Sequence, residues 1–455
     1  MSELSGKSSW QFKYWVFPAY LRAFRARKKP RKRRPTERGQ LIITGAVLTA
    51  ALGLNTETSS VYQLFALLLC LAIASRIGLR ISKPNVNVKR ILPRYATAGQ
   101  QFTYRIRIEN LSDRTESDLT VTDIPNNKLP TLKQYQNERE PDEDFRNAYD
   151  RFIGFHRFIY LQRQNTGIQT TPTHVTEVSR QSYEDADIQA TALRRGRVEF
   201  SHSVVLHQDP LSLNYGFNHF DNPETMLVLP ERFQLSPNLQ LSGGRSFQQG
   251  GLTSAWSTGE SDEFVSLRDY RDGDAMKKIH WPSSAKQTAR KQNLVVKEYQ
   301  DEFFARNALI LDICDGKHDQ VEKAISIAAS FVMEQQVDNI LDLIFLSQDQ
   351  AKIITADLSN QSGHKQLEAL AMMQPDSTEF SALTEASLTH LKKVSGCVCI
   401  FSSWQKQHEE FVRRITTLGK ELRCLVVADE VNTGKNQRSF TLIRPSHAQQ
   451  DLLSL

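Results

Sequence analysis

The sequence predicts a multidomain α+β protein with a transmembrane helical hairpin, an antiparallel β-sandwich-like domain and a C-terminal doubly wound α/β domain. Three observations support this prediction: two apolar runs near the N-terminus, short alternating strands after them, and strands that alternate with helices to the end. The segments in order are a basic aromatic cytoplasmic tail over 1–40, the hairpin over 41–82, the sandwich over 84–230, a Gly-rich connector with a charged stretch over 231–303, and the α/β domain over 304–455.

The positive charge of the chain is concentrated near its N-terminus. The net charge of the 455 residues is +6, but residues 1–94 contain 18 Lys and Arg against 3 Asp and Glu, a balance of +15. The rest contains 39 basic and 48 acidic side chains, a balance of −9, so the C-terminal part is mildly acidic. The five cysteines have neither disulfide-framework nor zinc-site spacing, and we expect them to be reduced.

Aromatic and basic side chains dominate the tail. Residues 10–24 carry seven aromatic side chains among basic ones, which suits the headgroup boundary of a membrane, with an unstructured tail as the alternative. The run Arg25–Arg38 could neutralise nucleic-acid phosphates. Because it directly precedes an apolar run, we interpret it as a positive-inside anchor and expect no nucleic-acid partner.

The apolar runs are Leu41–Leu54 and Val61–Leu79, and each nearly spans about 30 Å of hydrocarbon when flanking residues are included. The residues between them carry no positive charge, whereas Arg76, Arg80 and Lys83 close the second run. Because basic flanks stay in the cytoplasm, the pattern predicts two passes, with both termini and the large domains cytoplasmic. A buried soluble helical hairpin is the competing interpretation.

Alternating side chains between Pro84 and Pro230 predict the sandwich, with strands over 102–108, 119–123, 153–160 and 198–206. The highly charged residues 133–150 are expected to form an exposed loop. The Gly-, Ser- and Gln-rich residues 231–258 predict a flexible connector, which lacks the pattern of a phosphate-binding loop.

The last third of the chain predicts a doubly wound sheet. Buried strands are predicted over 308–313, 340–346, 352–356, 397–401 and 425–428, with helices over 321–332, 365–373, 383–394 and 411–418.

One stretch, Gly259–Glu302, is denser in charge, glycine and aromatic residues than a plain helix or strand explains. It contains the ordered pattern E-F-x-x-L-R-x-Y-x-x-G-D-x-x-x-x-I-x-W-x-x-x-A-K. We single out a signature or partner-binding set within it: Glu263, Phe264, Arg268, Tyr270, Gly273, Asp274, Trp281 and Lys286. The pattern resembles the bacterial domain of unknown function 58 family. The resemblance implies a bacterial inner-membrane protein with a von Willebrand factor A-like C-terminal domain, often paired with a MoxR-type AAA ATPase.

Two shorter motifs also resemble this family. Arg194–Arg197 reads R-R-G-R, and its interpretation from the residues alone is a solvated turn. The run from Asp209 to Ser212 reads D-P-L-S, in which Ser212 replaces the usual glycine of D-P-(F/L)-G-L.

The signature stretch can also be interpreted from its residues alone. Gly273 permits a tight turn, Asp274 can cap a short helix, and Pro282 can begin the next helix. Arg268 is expected to pair with Glu263, Asp269 or Asp274. Such a network serves either as a polar scaffold or as a recognition surface, and the residues do not decide between them.

The family's fold often binds a divalent cation through D-x-S-x-S and a later Asp, all hard oxygen ligands. Here Asp312 is followed by Cys314 and Gly316 where serines would stand, and Ser402-Ser403-Trp404 supplies no Asp. We therefore expect no metal and no cofactor, with Asp312 capping a loop or a helix start.

The function expected from these observations is a non-enzymatic membrane-anchored adaptor or scaffold that assembles or remodels protein complexes with a MoxR-type ATPase. The alternative is a metal-dependent hydrolase. It would require His280, Asp274 and Glu263 to converge in a pocket.

Overall fold

The structure is a computed structural model that describes residues 16–25, 33–52, 59–141, 143–239, 258–271, 274, 276–288, 294–303, 305–334, 339–347, 350–356, 361–374, 380–430 and 440–455. The chain divides into two compact units, Met1–Glu231 and Arg232–Leu455. Helices and several separate sheets occur in it, so the mixed multidomain α+β class is confirmed.

The first unit opens with three helices and a short strand: α1 over 16–25, β1 Arg33–Pro35, α2 Glu37–Leu52 and α3 Ser59–Ile81. Helices α2 and α3 pack against each other. Of the helices within the described ranges, one is long and apolar enough to cross a membrane by length and composition, over Ser60–Ile81. Helix α2 has 16 residues and rises about 24 Å, short of the ~30 Å hydrocarbon layer. The two-pass hairpin therefore stays a prediction.

Two sheets form the sandwich, in the orders β1-β10-β9-β5-β7 and β2-β4-β8-β6, with β3 paired to β10. Inward side chains such as Ile106 and Ile188 of one sheet and Val121 and Val205 of the other share one core. The predicted strands over 102–108, 119–123 and 198–206 are confirmed. The strands are β2 Val86–Ile91, β3 Tyr95–Thr97, β4 Gln101–Asn110, β5 Glu116–Pro125, β6 Ile168–Thr170, β7 Thr173–Val178, β8 Tyr183–Ala192, β9 Gly196–Gln208 and β10 Asn214–Leu229.

A buried ion pair joins the two sheets. Arg90 of β2 donates to both carboxylate oxygens of Asp123 on β5, at 2.6 Å from Nε and 2.5 Å from Nη2. The hydroxyls of Tyr104 and Ser203 donate to the same carboxylate. Because a buried charge is costly unless it is fully paired, this network fixes how the sheets face each other.

A helical insertion lies between β5 and β6, and it corrects two predictions. It contains α4 Leu132–Asn137, α5 Ala148–Ile153 and α6 Phe155–Gln164, so residues 153–160 are not a strand and 133–150 are not one loop. Gly154, with a φ of 67°, separates α5 from α6. The prediction failed because a short apolar window fits a helical period of 3.6 as well as an alternation of two.

Helix α1 packs on this insertion through aromatic rings. Phe17, Tyr20 and Phe24 lie 5.9, 5.5 and 5.0 Å from the Phe158 ring of α6, between centroids. The Tyr20 hydroxyl donates to the Ile153 carbonyl at 3.2 Å. These rings contact protein, which corrects the headgroup-boundary prediction for this part of the tail, while residues 10–15 lie outside the described ranges.

The D-P-L-S turn between β9 and β10 forms hydrogen bonds with the start of helix α2. Asp209 Oδ1 accepts the Leu213 N–H at 2.8 Å, and Thr36 N–H donates to the Leu213 carbonyl at 2.9 Å. Ser212 has a φ of 56°, the left-handed conformation that glycine adopts without strain. A glycine at this position would adopt the same conformation without strain. Arg194 and Arg195 lie in the predicted turn between β8 and β9, but both are half-buried and not fully solvated, and Gly196 begins β9.

The second unit contains a two-stranded hairpin and a six-stranded sheet in the order β15-β14-β13-β16-β17-β18. All pairs in that sheet are parallel except β14 with the edge strand β15. The predicted strands and helices of this domain are confirmed to within a few residues. The elements are β11 Thr258–Asp269, α7 Trp281–Thr288, β12 Val295–Phe303, β13 Ala305–Asp312, α8 His318–Met333, β14 Asn339–Ser347, β15 Gln350–Ile354, α9 Gln361–Met372, α10 Phe380–Leu391, β16 Gly396–Phe401, α11 Lys406–Thr417, β17 Glu421–Val427, β18 Thr441–Ile443 and α12 Ala448–Leu453.

The cysteines of the sheet are free and buried, as expected for core thiols. Cys397 and Cys399 point to one face of β16, and Cys424 occupies the neighbouring position on β17. Burial raises the pKa of the Cys424 thiol, which keeps it protonated and unreactive.

Candidate functional site

The signature stretch folds as a small module built on the β11–β12 hairpin. Between these strands the chain returns to β12 twice: the Tyr270 N–H donates to the Leu294 carbonyl at 2.7 Å, and the His280 N–H donates to the Val295 carbonyl at 2.9 Å. Ile279 adds an isolated bridge to Val296. The long strand β11 was not among the predicted strands.

An ion pair locks the module. Arg268 Nη1 and Nη2 each donate to one oxygen of Asp274 at 2.7 Å, a bidentate geometry. The Arg271 N–H donates to the same carboxylate at 2.9 Å. The Arg268 guanidinium, followed by this N–H, lowers the pKa of Asp274 to about 2. The predicted pairing of Arg268 is therefore confirmed for Asp274. The Asp274 carboxylate also closes a turn by accepting the backbone N–H of Arg271.

His280 holds the start of helix α7. Its Nδ1 lies 2.7 Å from Ser283 Oγ and accepts the Ser283 N–H at 3.3 Å. Ser284 Oγ accepts the Val295 N–H at 3.0 Å, which fastens the helix to β12. Pro282 is the second residue of α7, close to its predicted position. The His280 ring is therefore engaged by its own helix, while Asp274 is engaged by Arg268.

The module leaves large apolar side chains exposed. Trp281 is 63% exposed and Met276 is 76% exposed, although both lie within a few residues of the buried Ile279. Of the remaining signature residues, Tyr270 is half-buried and Lys286 is exposed. Gly273 and the side chains of Glu263 and Phe264 lie outside what the structure describes. Two large apolar side chains exposed within six residues of the chain favour a protein-binding surface.

The second candidate position is the carboxyl end of β13, where the strand order of the parallel sheet reverses between β13 and β16. Ligands of doubly wound sheets bind at this kind of switch point. Asp312 stands at the end of β13, and its backbone carbonyl accepts the Ser402 N–H at 3.0 Å. The Asp312 side chain is 3% exposed.

A histidine from helix α11 forms a hydrogen bond with the Asp312 carboxylate. His408 Nε2 lies 3.0 Å from Asp312 Oδ2, and the Cys314 N–H donates to Oδ1 at 3.1 Å. The Gln405 N–H donates to His408 Nδ1 at 2.9 Å, which leaves Nε2 to carry the proton that Asp312 accepts. The ring is packed edge-on against Phe380, at 4.5 Å between centroids.

These residues do not fit the divalent cation that the family resemblance implies. Both Asp312 oxygens accept N–H groups of the protein, Asp315 accepts the Gln405 amide, and Cys314 offers no oxygen. Across the described ranges no group of three or more His, Cys, Asp or Glu is arranged to hold a metal. Sequence reasoning missed His408, because 96 residues separate it from Asp312 and no local motif marks it.

No protein-family model matches the chain, and no curated protein matches it. Solved structures with partial similarity include an E. coli alpha-2-macroglobulin (14% identity, TM-score 0.19), covering 32% of this chain and 7% of that one. They also include the SpRpn10 VWA domain (8% identity, TM-score 0.25; 32% and 93%) and a PapD-like domain of human CEP192 (10% identity, TM-score 0.17; 32% and 87%).

Proposed function

We propose that the chain is a membrane-anchored adaptor. Helices α2 and α3 hold it in the inner membrane in two passes, with both termini cytoplasmic, and the domains outside the membrane present a binding surface to a partner protein. The proposed partner is a MoxR-type AAA ATPase, with which the adaptor assembles or remodels protein complexes. The C-terminal domain is proposed to be von Willebrand factor A-like, with its cation position replaced by His408.

The observation that carries this proposal is the exposure of Trp281 and Met276 on a locked module. The Arg268–Asp274 pair and the Ser284–Val295 contact fix the backbone that presents these side chains. Large apolar side chains held rigidly in water favour a protein partner, because burying a tryptophan and a methionine contributes several kcal/mol to binding. The Asp274 oxygens and His280 Nδ1 already hold hydrogen bonds within the module, which favours a structural role for both side chains over hydrolysis.

Binding to a purified MoxR-type ATPase tests the partner assignment. Full-length protein in detergent should retain the ATPase, and Trp281→Ala together with Met276→Ser should weaken binding at least tenfold, or about 1.4 kcal/mol. Phe145→Ala is the matched control, because Phe145 is 92% exposed on the insertion of the first unit. Equal binding by both variants, or no binding by the wild type, would reject the assignment.

Reporter fusions test the anchor. A fluorescent protein that matures only in the cytoplasm should fluoresce when fused after Leu455, and alkaline phosphatase should be active when inserted after Thr56. Fluorescence at the C-terminus without phosphatase activity at Thr56 would mean that the loop between α2 and α3 does not cross the membrane. That result would reject two passes. Release of the protein from membranes by a high-pH wash would reject the anchor altogether.

A further inference from the structure

We infer that three arginines at the cytoplasmic end of the helix pair, Arg38, Arg76 and Arg80, bind the phosphate groups of anionic phospholipids. This inference rests on the membrane anchor proposed above. It adds which lipids surround the anchor and which side chains select them.

One face at the end of α3 packs against the sandwich domain. Ser75, Gly78 and Leu79 follow a helical spacing, and Ser75 and Leu79 are buried. Asn214 Nδ2 donates to Ser75 Oγ at 2.6 Å, and a Cβ at Gly78 would lie 3.0 Å from Pro210. This face is therefore covered by the turn that joins β9 to β10.

The other face carries cations among apolar side chains. Arg76 and Arg80 lie one turn apart and are exposed, and their neighbours Ile77 and Ile81 are exposed as well. Arg38 of α2 is exposed beside the buried Gly39. Among the described residues, no carboxylate lies within ion-pair distance of these three guanidinium groups.

The position of Arg76 identifies the ligand. Arg76 lies between Ser75 and Gly78, which contact the β9–β10 turn, so it stands where the apolar segment meets the sandwich domain. A guanidinium at this boundary lies near the lipid headgroups, where phosphates are the available anions. The planar fork of arginine matches a phosphate group, and lipid headgroups supply phosphates at this level. Glu37 is the one acidic residue within α2 and α3.

Lipid retention tests this inference on the full-length protein. The protein in a nonionic detergent is mixed with equal mole fractions of phosphatidylglycerol and phosphatidylcholine, repurified, and its bound lipids are counted by mass spectrometry. We expect phosphatidylglycerol to be enriched at least fivefold. R76Q/R80Q should lower its retention about thirtyfold, or about 2 kcal/mol.

Two further variants make the result decisive. R151Q/R180Q removes the same charge from exposed positions in the first unit and should retain phosphatidylglycerol as the wild type does. R76K/R80K keeps the charge but not the planar fork and should retain an intermediate amount of lipid, which separates charge loss from misfolding. Equal retention of both lipids by the wild type, or equal losses in R76Q/R80Q and R151Q/R180Q, would overturn the inference. So would displacement of the lipid by an equal concentration of inorganic phosphate, which would indicate a site for free anions. In each of these cases the anchor stands while the protein still requires detergent, whereas a protein that stays dispersed without detergent refutes the anchor itself.

Discussion

Gly39→Ala should break the joint between the helix pair and the β-sandwich. A Cβ atom at Gly39 would lie 2.0 Å from the carbonyl oxygen of Leu213. Non-bonded heavy atoms do not approach this closely, so the turn or helix α2 must move by about 1 Å. The Leu213 carbonyl also accepts the Thr36 N–H at 2.9 Å, and Thr36 Oγ1 donates to the Ser212 carbonyl at 2.8 Å. The same movement therefore breaks both hydrogen bonds.

The expected loss follows from these contacts. Overpacking against backbone costs about 1–3 kcal/mol, and each hydrogen bond contributes about 1 kcal/mol, giving about 3–5 kcal/mol for Gly39→Ala. For a unit of this size each kcal/mol shifts the melting temperature by about 2–4 °C, so the first unit should unfold about 6–20 °C lower. Thermal unfolding of the full-length protein in detergent measures the shift.

Gly45→Ala is the matched control, because it lies on the same helix and faces α3. The nearest atom to its Cβ would be Leu68 Cδ1 at 3.4 Å, an ordinary contact. Alanine favours helix over glycine by up to about 1 kcal/mol, so this variant should unfold at the wild-type temperature or above. The reasoning fails if Gly39→Ala unfolds with the wild type, or if the two variants fall by the same amount.

Three further predictions concern single side chains. His408→Ala leaves the buried Asp312 carboxylate without its side-chain donor and should lower the free energy of unfolding by about 2–3 kcal/mol in urea titration, with His408→Gln losing less. The hydrogen bonds from Arg268 lower the pKa of Asp274 to about 2. The stability that this ion pair contributes should therefore be present above about pH 4 and lost as the pH falls toward 2. Amide protection factors over 266–271 should follow that window in the wild type but not in Asp274→Asn. Ser212→Gly should keep or raise the melting temperature, whereas Ser212→Val should destabilise by about 1–2 kcal/mol.

The sequence predicted the C-terminal sheet well, because each parallel strand is continuously apolar and is bounded by an amphipathic helix. Strands β13 and β16 and helix α8 were all found within a few residues of their structural bounds. The helical insertion was missed, because its order depends on contacts with distant residues. Helix α6 is stabilised by α1, more than a hundred residues earlier, through the rings around Phe158. No local pattern encodes such packing.

In the candidate site too, contacts between residues close in sequence were predicted and contacts between distant residues were not. Arg268 and Asp274 are six residues apart, so sequence spacing alone suggested their pairing. The residues near Asp312 in sequence were singled out, but the side chain that contacts its carboxylate comes from helix α11. A partner brought by tertiary structure leaves no mark within the motif itself.

The recognisable motifs share one physical property that bears on function. Their carboxylates bind the protein itself: Asp209 accepts backbone N–H groups, Asp274 accepts Arg268, and Asp312 accepts His408. Protonating such a carboxylate, or placing a metal on it, weakens the hydrogen bonds that it already accepts, which are worth about 1.5–3 kcal/mol for each charged bond. Acid–base chemistry at these positions would therefore compete with the contacts that hold the structure together. Apolar recognition through the exposed Trp281 involves no such loss, and this difference is why we propose an adaptor rather than a hydrolase.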